Sequence, residues 1–152
     1  MRTFALLLFI SYLSGVVGCG DPPLHPVTGK VTLGGVSHER LLVYMDPIDQ
    51  EVTAFNKGVG ETDVTGKLVM NSTASTPEET GLAAGKYRVY FNCWMQKGQA
   101  VGLADEKPDD SNRKLETEDV VPAPYNDPLE TPVVFEVVRG QDNVFEFDIP
   151  VN

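Results

Sequence analysis

The sequence predicts an all-β protein, a seven-stranded antiparallel β-sandwich that follows an N-terminal signal peptide. Apolar and polar residues alternate with a period of two in successive runs from Val27 to Ile149, and stretches containing Gly, Asp and Asn separate these runs. Such alternation is typical of half-buried strands, and no apolar pattern with the 3.6-residue period of a helix competes with it. Several short strands without intervening helices favour a sandwich of two sheets.

The first 18 residues have the outline of a secretory signal peptide. Arg2 supplies a positive charge, an apolar run extends from Phe4 to Leu13, and small residues follow. This arrangement is typical of an export signal. The apolar run, about ten residues long, is shorter than the roughly 20 residues that a membrane-spanning helix needs. We therefore expect residues 1–18 to direct export without anchoring the chain.

The segment Val16-Val17-Gly18-Cys19 resembles a bacterial lipobox, in which an aliphatic and a small residue precede a cysteine. We predict that Cys19 begins the mature protein and carries lipid on its thiol, with the Pro-containing residues 19–26 as a tether. Two or three acyl chains, at about 0.8 kcal/mol per buried methylene, anchor a protein durably. The predicted location is the membrane surface, facing the periplasm or the cell exterior. The alternative is ordinary cleavage near Gly18 that leaves Cys19 as a free thiol.

Composition excludes several classes of function. Residues 19–152 contain 11 Lys or Arg against 22 Asp or Glu, a net charge of about −11. Nucleic acid is therefore not an expected partner, because its binding depends largely on Lys and Arg. The length fits one domain, residues 27–152. With Cys19 acylated, Cys93 is the other cysteine, so we expect neither an intramolecular disulfide nor a zinc site built from cysteine pairs.

The alternation assigns strands and their inward faces. Asp63-Val64-Thr65-Gly66 is expected to form the tight turn of a hairpin, because Asp bonds its own backbone in turns and Gly tolerates positive φ. In "KYRVYFNCWMQ" one face carries Tyr87, Val89, Phe91, Cys93 and Met95, and the other carries Arg88, Tyr90, Asn92, Trp94 and Gln96. The seven predicted strands cover residues 27–33, 41–46, 55–62, 67–70, 86–96, 132–138 and 144–149. The inward candidates in the second strand and in the last two are Leu41, Val43, Met45, Phe135, Val137, Phe145, Phe147 and Ile149.

Several motifs together resemble a known family. They are "VTGKVTLGG", "GETDVTGKLVM", "GLAAGKYRVYF" and "PAPYNDPLETPVVFEVVRGQDNVFEFDI", in that order. The chain is similar on these motifs to the small carboxypeptidase-regulatory-like, or transthyretin-like, lipoproteins of planctomycete-type bacteria. The departures are "GVSHERLLV" before the second strand, Leu68 where an aromatic residue is common, and Ala84 in place of proline before Gly85. The resemblance implies a prealbumin-like or immunoglobulin-like sandwich and, for most members, no demonstrated activity; fold alone does not give function.

Catalytic residue sets are not apparent in the sequence. His25 lies in the tether and His38 in a loop, too far apart in sequence to suggest a metal pair. Cys93 shares the face of Val89 and Phe91, where a buried thiol acts as a small apolar side chain rather than a nucleophile. Transthyretin-like hydrolases carry a C-terminal Tyr-Arg-Gly-Ser run, whereas this chain ends "FDIPVN". We predict that the protein is not an enzyme and uses no cofactor or metal.

Two surface features suggest ligands. Tyr90 and Trp94 lie on the outward face of their strand and could stack on a sugar ring, or could instead lie in the second layer of the sheet stack or beneath a long loop. A cluster of carboxylates could bind calcium, which takes oxygen ligands, but acidic runs are more often solvated surface. Its members are Asp105, Glu106, Asp109, Asp110, Glu116, Glu118 and Asp119.

These observations predict a non-catalytic lipoprotein of the cell envelope that acts as a binding or structural module. Its predicted partners are the membrane, through the lipid on Cys19, and an envelope protein or a glycan. The alternatives are a carbohydrate- or calcium-binding module and a transthyretin-like hydrolase. An exposed edge strand could also pair with another chain.

Overall fold

A computed structural model of the chain describes residues 22–54, 56–74, 80–96, 99–101 and 117–151. These residues form strands in four sheets and no helix. The predicted all-β class is confirmed. No helix within these ranges is long and apolar enough to cross a membrane. The predicted signal peptide 1–18 and Cys19 lie outside the described residues.

Within those ranges the chain forms thirteen strands. In chain order they are β1 (Leu24–His25), β2 (Val27–Leu33), β3 (Leu42–Pro47), β4 (Gly58–Glu61), β5 (Lys67–Val69), β6 (Asn71–Ser72), β7 (Leu82–Ala83), β8 (Gly85–Asn92), β9 (Trp94–Gln96), β10 (Gln99–Val101), β11 (Glu118–Asp119), β12 (Val134–Val137) and β13 (Asn143–Ile149). The larger sheet has the order β12-β8-β3-β4-β6, and a smaller sheet has the order β13-β2-β5. Two minor sheets have the orders β10-β9-β11 and β1-β7.

Each of the seven predicted strand segments contains an observed strand, but the strand count differs. The segment 86–96 divides at Cys93 into β8, in the larger sheet, and β9, in a minor sheet. Further short strands, β1, β6, β7, β10 and β11, lie outside the predicted segments. β1 falls within the predicted tether and pairs with β7, with Leu24 opposite Ala83. Strands of two residues are too short to leave an alternating pattern in the sequence.

The prediction that all strands are antiparallel is wrong for one pair. β2 and β13 run parallel, with Val27 opposite Asn143 and Leu33 opposite Ile149. The other strand pairs of the described sheets are antiparallel. Alternation reveals which face of a strand is buried, and it is the same for either direction of pairing, so the sequence pattern carried no information on this point.

The turn at residues 63–66 forms, but the predicted hairpin does not. The Asp63 side chain accepts hydrogen bonds from the backbone of Thr65 (2.7 Å) and Lys67 (3.0 Å), which reverses the chain. The strands on either side then enter different sheets, since β4 pairs with β3 and β6 whereas β5 pairs with β2. The two strands approach each other across the core instead, where the Leu68 side chain lies so near the Gly60 backbone that a Cβ on Gly60 would be 2.8 Å from Cδ1 of Leu68.

The larger and smaller sheets contribute to one hydrophobic core. Phe91 of β8 stacks on Phe145 and Phe147 of β13, with ring centroids 6.3 and 5.5 Å apart. The predicted inward faces are confirmed for the residues that are buried, which are Leu41, Val43, Met45, Tyr87, Val89, Phe91 and Cys93, together with Val137, Phe145 and Ile149. Met95, Phe135 and Phe147 are only partly buried at the margin of this core.

Candidate functional site

The outer face of the larger sheet carries a pair of stacked tyrosines. β3 and β8 are neighbours, and their register sets Tyr44 opposite Tyr90 and Asp46 opposite Arg88. The two tyrosine rings lie with centroids 4.9 Å apart and planes 11° apart. Directly opposed side chains on one face of a sheet are in contact, and aromatic pairs add about 0.2 to 1 kcal/mol to the stability of the sheet. We call Tyr44, Asp46, Arg88 and Tyr90 the tyrosine face.

Charged groups surround the two rings. Lys57 Nζ lies 3.7 Å from Oδ1 of Asp46, and Arg88 donates a hydrogen bond to the carbonyl of Pro128 at 3.2 Å. Partial burial, followed by the negative charge of Asp46 and the neighbouring Tyr44, raises the pKa of Tyr90 to about 12. The tyrosine face presents hydrogen-bond donors, acceptors and aromatic surface together.

The two aromatic residues predicted to face a ligand occupy different sheets. Tyr90 belongs to β8, whereas Trp94 belongs to β9, where it pairs with Val101 and Asp119 and is 38% exposed. The structure instead gives Tyr90 a partner that the sequence reasoning missed, Tyr44. Tyr44 does occupy a polar-face position between the inward Val43 and Met45, but the neighbouring strand had to be known before the pair could be recognised.

Asp119 is the centre of a hydrogen-bond network beside Cys93. One carboxylate oxygen accepts from the backbone N–H of Cys93 (2.9 Å) and of Val121 (3.1 Å). The other accepts from the side-chain amides of Asn92 (2.6 Å) and Asn126 (3.5 Å). Asp119 thus fastens the end of β8 to the segment that follows β11. Of the predicted acidic cluster, only Glu118 and Asp119 fall within the described residues.

The remaining candidate residues are dispersed. Cys93 is fully buried, and burial together with the nearby charge of Asp119 raises the pKa of its thiol to about 11. His25 lies in β1, and the backbone carbonyl of His38 accepts a hydrogen bond from Thr62 at 2.6 Å. Among the described residues, no three His, Cys, Asp or Glu side chains are grouped to hold a metal ion.

We compared the chain with protein families, curated proteins and solved structures. No protein-family model matches the chain, and no curated protein and no solved structure shows significant similarity to it.

Proposed function

We propose that the protein is an exported lipoprotein of the cell envelope whose β-sandwich domain is a non-catalytic binding or structural module. Export and lipidation are supported by the apolar N-terminal run and the lipobox at Val16–Cys19. A sandwich is supported by the single hydrophobic core to which the larger and smaller sheets both contribute. The resemblance of the motifs to the carboxypeptidase-regulatory-like family favours the same assignment, with a prealbumin-like or immunoglobulin-like arrangement of the main strands.

The tyrosine face is the observation that carries the binding function. Its rings are held by two paired central strands, so little conformational freedom would be lost when a ligand bound. Each tyrosine covers one face of the other, and a ligand would meet the ring edges, the hydroxyls and the flanking Asp46 and Arg88. A carbohydrate offers the matching chemistry, because its hydroxyls can pair with the phenolic hydroxyls and with the charged groups of Asp46 and Arg88.

A glycan-array screen tests this role. The protein without its lipid is applied to the array with and without calcium, and a Tyr90→Ala variant is compared with Trp94→Ala as the matched aromatic control. We expect glycan binding that Tyr90→Ala abolishes and Trp94→Ala preserves. Circular dichroism of both variants establishes that each is folded. Binding that depends on Trp94 alone would assign the ligand to another surface, and absence of glycan binding would leave an envelope protein as the partner.

Lipid anchoring is tested separately. Mass spectrometry of the protein extracted from membranes should find an N-terminal Cys19 bearing acyl chains. A Cys19→Ser variant should leave the detergent phase when membranes are partitioned between detergent and water. Continued partitioning of that variant into detergent would contradict lipidation at Cys19 without bearing on the tyrosine face.

A further inference from the structure

The smaller sheet ends one strand short of the larger sheet on one side of the core. β13 lies opposite β8, because Phe91 stacks on Phe147 with their planes 4° apart. β12 extends the larger sheet beyond β8, whereas the smaller sheet ends at β13. In the part of the chain that the structure describes, no strand of the smaller sheet lies beyond β13 on this side, and β12 meets that sheet through Phe135, whose ring packs edge-on against Phe145 with centroids 5.3 Å apart.

A groove of about 480 Å³ occupies this position. We call it the β12–β13 groove, and its lining includes Tyr125, Val133, Phe135, Val144, Phe145 and Phe147. Although they pack on the core cluster, the aromatic side chains Tyr125, Phe135 and Phe147 are only partly buried. At its margins Val134 and Val144 are 56% and 55% exposed. The groove thus combines an aromatic floor with exposed β-branched margins.

The edge of β13 that none of the described strands covers presents backbone hydrogen-bonding groups to this groove. The Ile149 carbonyl accepts a hydrogen bond from Gly34, just beyond β2, at 2.8 Å. The Phe145 carbonyl also faces β2, so closely that a Cβ on Gly29 would clash with it. Successive backbone groups in a strand point to alternate sides. The N–H and C=O groups of Val144, Glu146 and Asp148 therefore point away from β2, and Val144 and Glu146 are among the residues that line the groove.

We propose that an extended segment of a partner protein adds to the smaller sheet beside β13 and fills the β12–β13 groove. Strand addition uses backbone hydrogen bonds for affinity and alternate side chains for specificity. The inward side chains of the added strand pack against Phe135 and Tyr125, which requires them to be apolar. This surface is distinct from the tyrosine face, which lies on the outer side of the larger sheet.

The charges on the outer face of β13 determine which outward-facing side chains the added strand should carry. Glu146 and Asp148 are both exposed there. Lys30 lies opposite Glu146 on the β2 side, so a basic residue in the added strand would extend a row of alternating charge across the sheet. Opposite charges placed side by side stabilise strand pairs and like charges destabilise them. The partner segment therefore alternates apolar with Lys or Arg residues, and a second copy of the acidic β13 is disfavoured.

Fluorescence anisotropy with defined peptides tests the proposal on the full-length protein in a non-ionic detergent. The probe is a labelled eight-residue peptide that alternates Lys with Val. One control peptide alternates Glu with Val, and another is the Lys-Val peptide methylated on every backbone nitrogen, which prevents it from donating hydrogen bonds. We expect the Lys-Val peptide alone to bind.

Two protein variants locate the site. Val144→Pro removes an N–H that faces the groove without removing one that faces β2, and it should abolish binding. Glu146→Lys should weaken binding by roughly tenfold, whereas Glu51→Lys, which makes the same change of charge at an exposed residue outside the groove lining, should leave binding unchanged. Urea unfolding of each variant shows whether it is folded. If Val144→Pro does not fold, Glu146→Lys still tests the location of the site.

Several results would overturn the proposal. Binding of the methylated peptide would show that no strand is added, and an equal loss in Glu146→Lys and Glu51→Lys would show attraction by net charge alone. A dimer in sedimentation that Val144→Pro dissociates would identify the occupant as a second copy. Failure of the Lys-Val peptide to bind at any soluble concentration would also overturn it.

Discussion

The ring of Phe91 in the larger sheet lies nearly parallel to the ring of Phe147 in the smaller sheet, with centroids 5.5 Å and planes 4° apart. Phe91 is fully buried, and its ring also lies 6.3 Å from that of Phe145. Through Phe91 the central strand β8 is therefore joined to β13. Much of the stability of the core should depend on this one side chain, because a cavity at its position would remove contacts with both phenylalanines.

We expect Phe91→Ala to lower the free energy of unfolding by about 3 to 5 kcal/mol, the usual cost of removing a large buried ring. Val69→Ala, on the outer face of β5, removes a side chain that is 48% exposed and should cost no more than about 0.5 kcal/mol. Urea unfolding of a chain beginning at Pro22 measures both. A mild Phe91→Ala combined with a severe Tyr90→Ala would mean that the opposite face of β8 is buried.

The Cys93 thiol should react slowly in the folded protein. Its side chain is fully buried, and burial, with a further contribution from Asp119, raises the pKa from 9.0 to about 11. Both effects suppress reaction, because a thiol reagent needs access and attacks through the thiolate. Labelling at pH 8 should therefore be slow in buffer and fast in urea. Rapid labelling in the absence of urea would show that Cys93 is accessible.

The same raised pKa predicts how Cys93 affects stability at alkaline pH. The folded state favours the neutral thiol, so the unfolded chain releases this proton at a lower pH than the folded chain does. The stabilising contribution is fully present below pH 9 and is lost as the pH rises toward about 11. The difference in unfolding free energy between the wild type and Cys93→Ala should therefore shrink over this interval. A difference that does not change with pH would contradict the raised pKa.

Asp148 should remain ionised at unusually low pH. Its Oδ1 accepts hydrogen bonds from the Thr32 hydroxyl (2.6 Å) and the Gly35 backbone (2.7 Å), which lower the pKa of this carboxyl below 3.8. Because the folded-state pKa is lowered, the resulting stabilisation is present above pH 3.8 and is lost as the pH falls through the folded-state value. Carboxyl titration by NMR should show the pKa of Asp148 rising in Thr32→Val, while a matched Thr28→Val variant leaves it unchanged.

The sequence predicted the buried faces well because alternation records them directly. Val43 and Met45, or Val89 and Phe91, must be apolar to be buried whichever strand lies beside them. The sequence did not predict which strands lie beside each other in the sheets. The parallel pairing of β2 with β13 joins residues more than a hundred positions apart, and the residues around Asp63 favour a tight turn without specifying whether the next strand pairs or crosses to the other sheet. The Tyr44–Tyr90 pair depends on such a pairing and was missed for the same reason.

The Asp119 network gives a final prediction, in which two adjacent acidic residues should behave differently. Asp119 accepts hydrogen bonds from the backbone of Cys93 and Val121 and from the Asn92 side chain, at 2.9, 3.1 and 2.6 Å. Asp119→Ala leaves these donors without their acceptor in a partly buried site and should cost about 2 to 4 kcal/mol. Asp119→Asn should cost less than Asp119→Ala, because its amide oxygen can still accept from the backbone. It should still lower the stability, because its NH₂ group replaces the oxygen that accepts from the Asn92 side chain. The neighbouring Glu118 is exposed, so Glu118→Ala should change stability by no more than about 0.5 kcal/mol. Urea unfolding of the three variants gives the order of their unfolding free energies directly. Equal losses of stability at positions 118 and 119 would show that the negative charge of this segment, rather than the hydrogen-bond network of Asp119, holds the end of β8 in place.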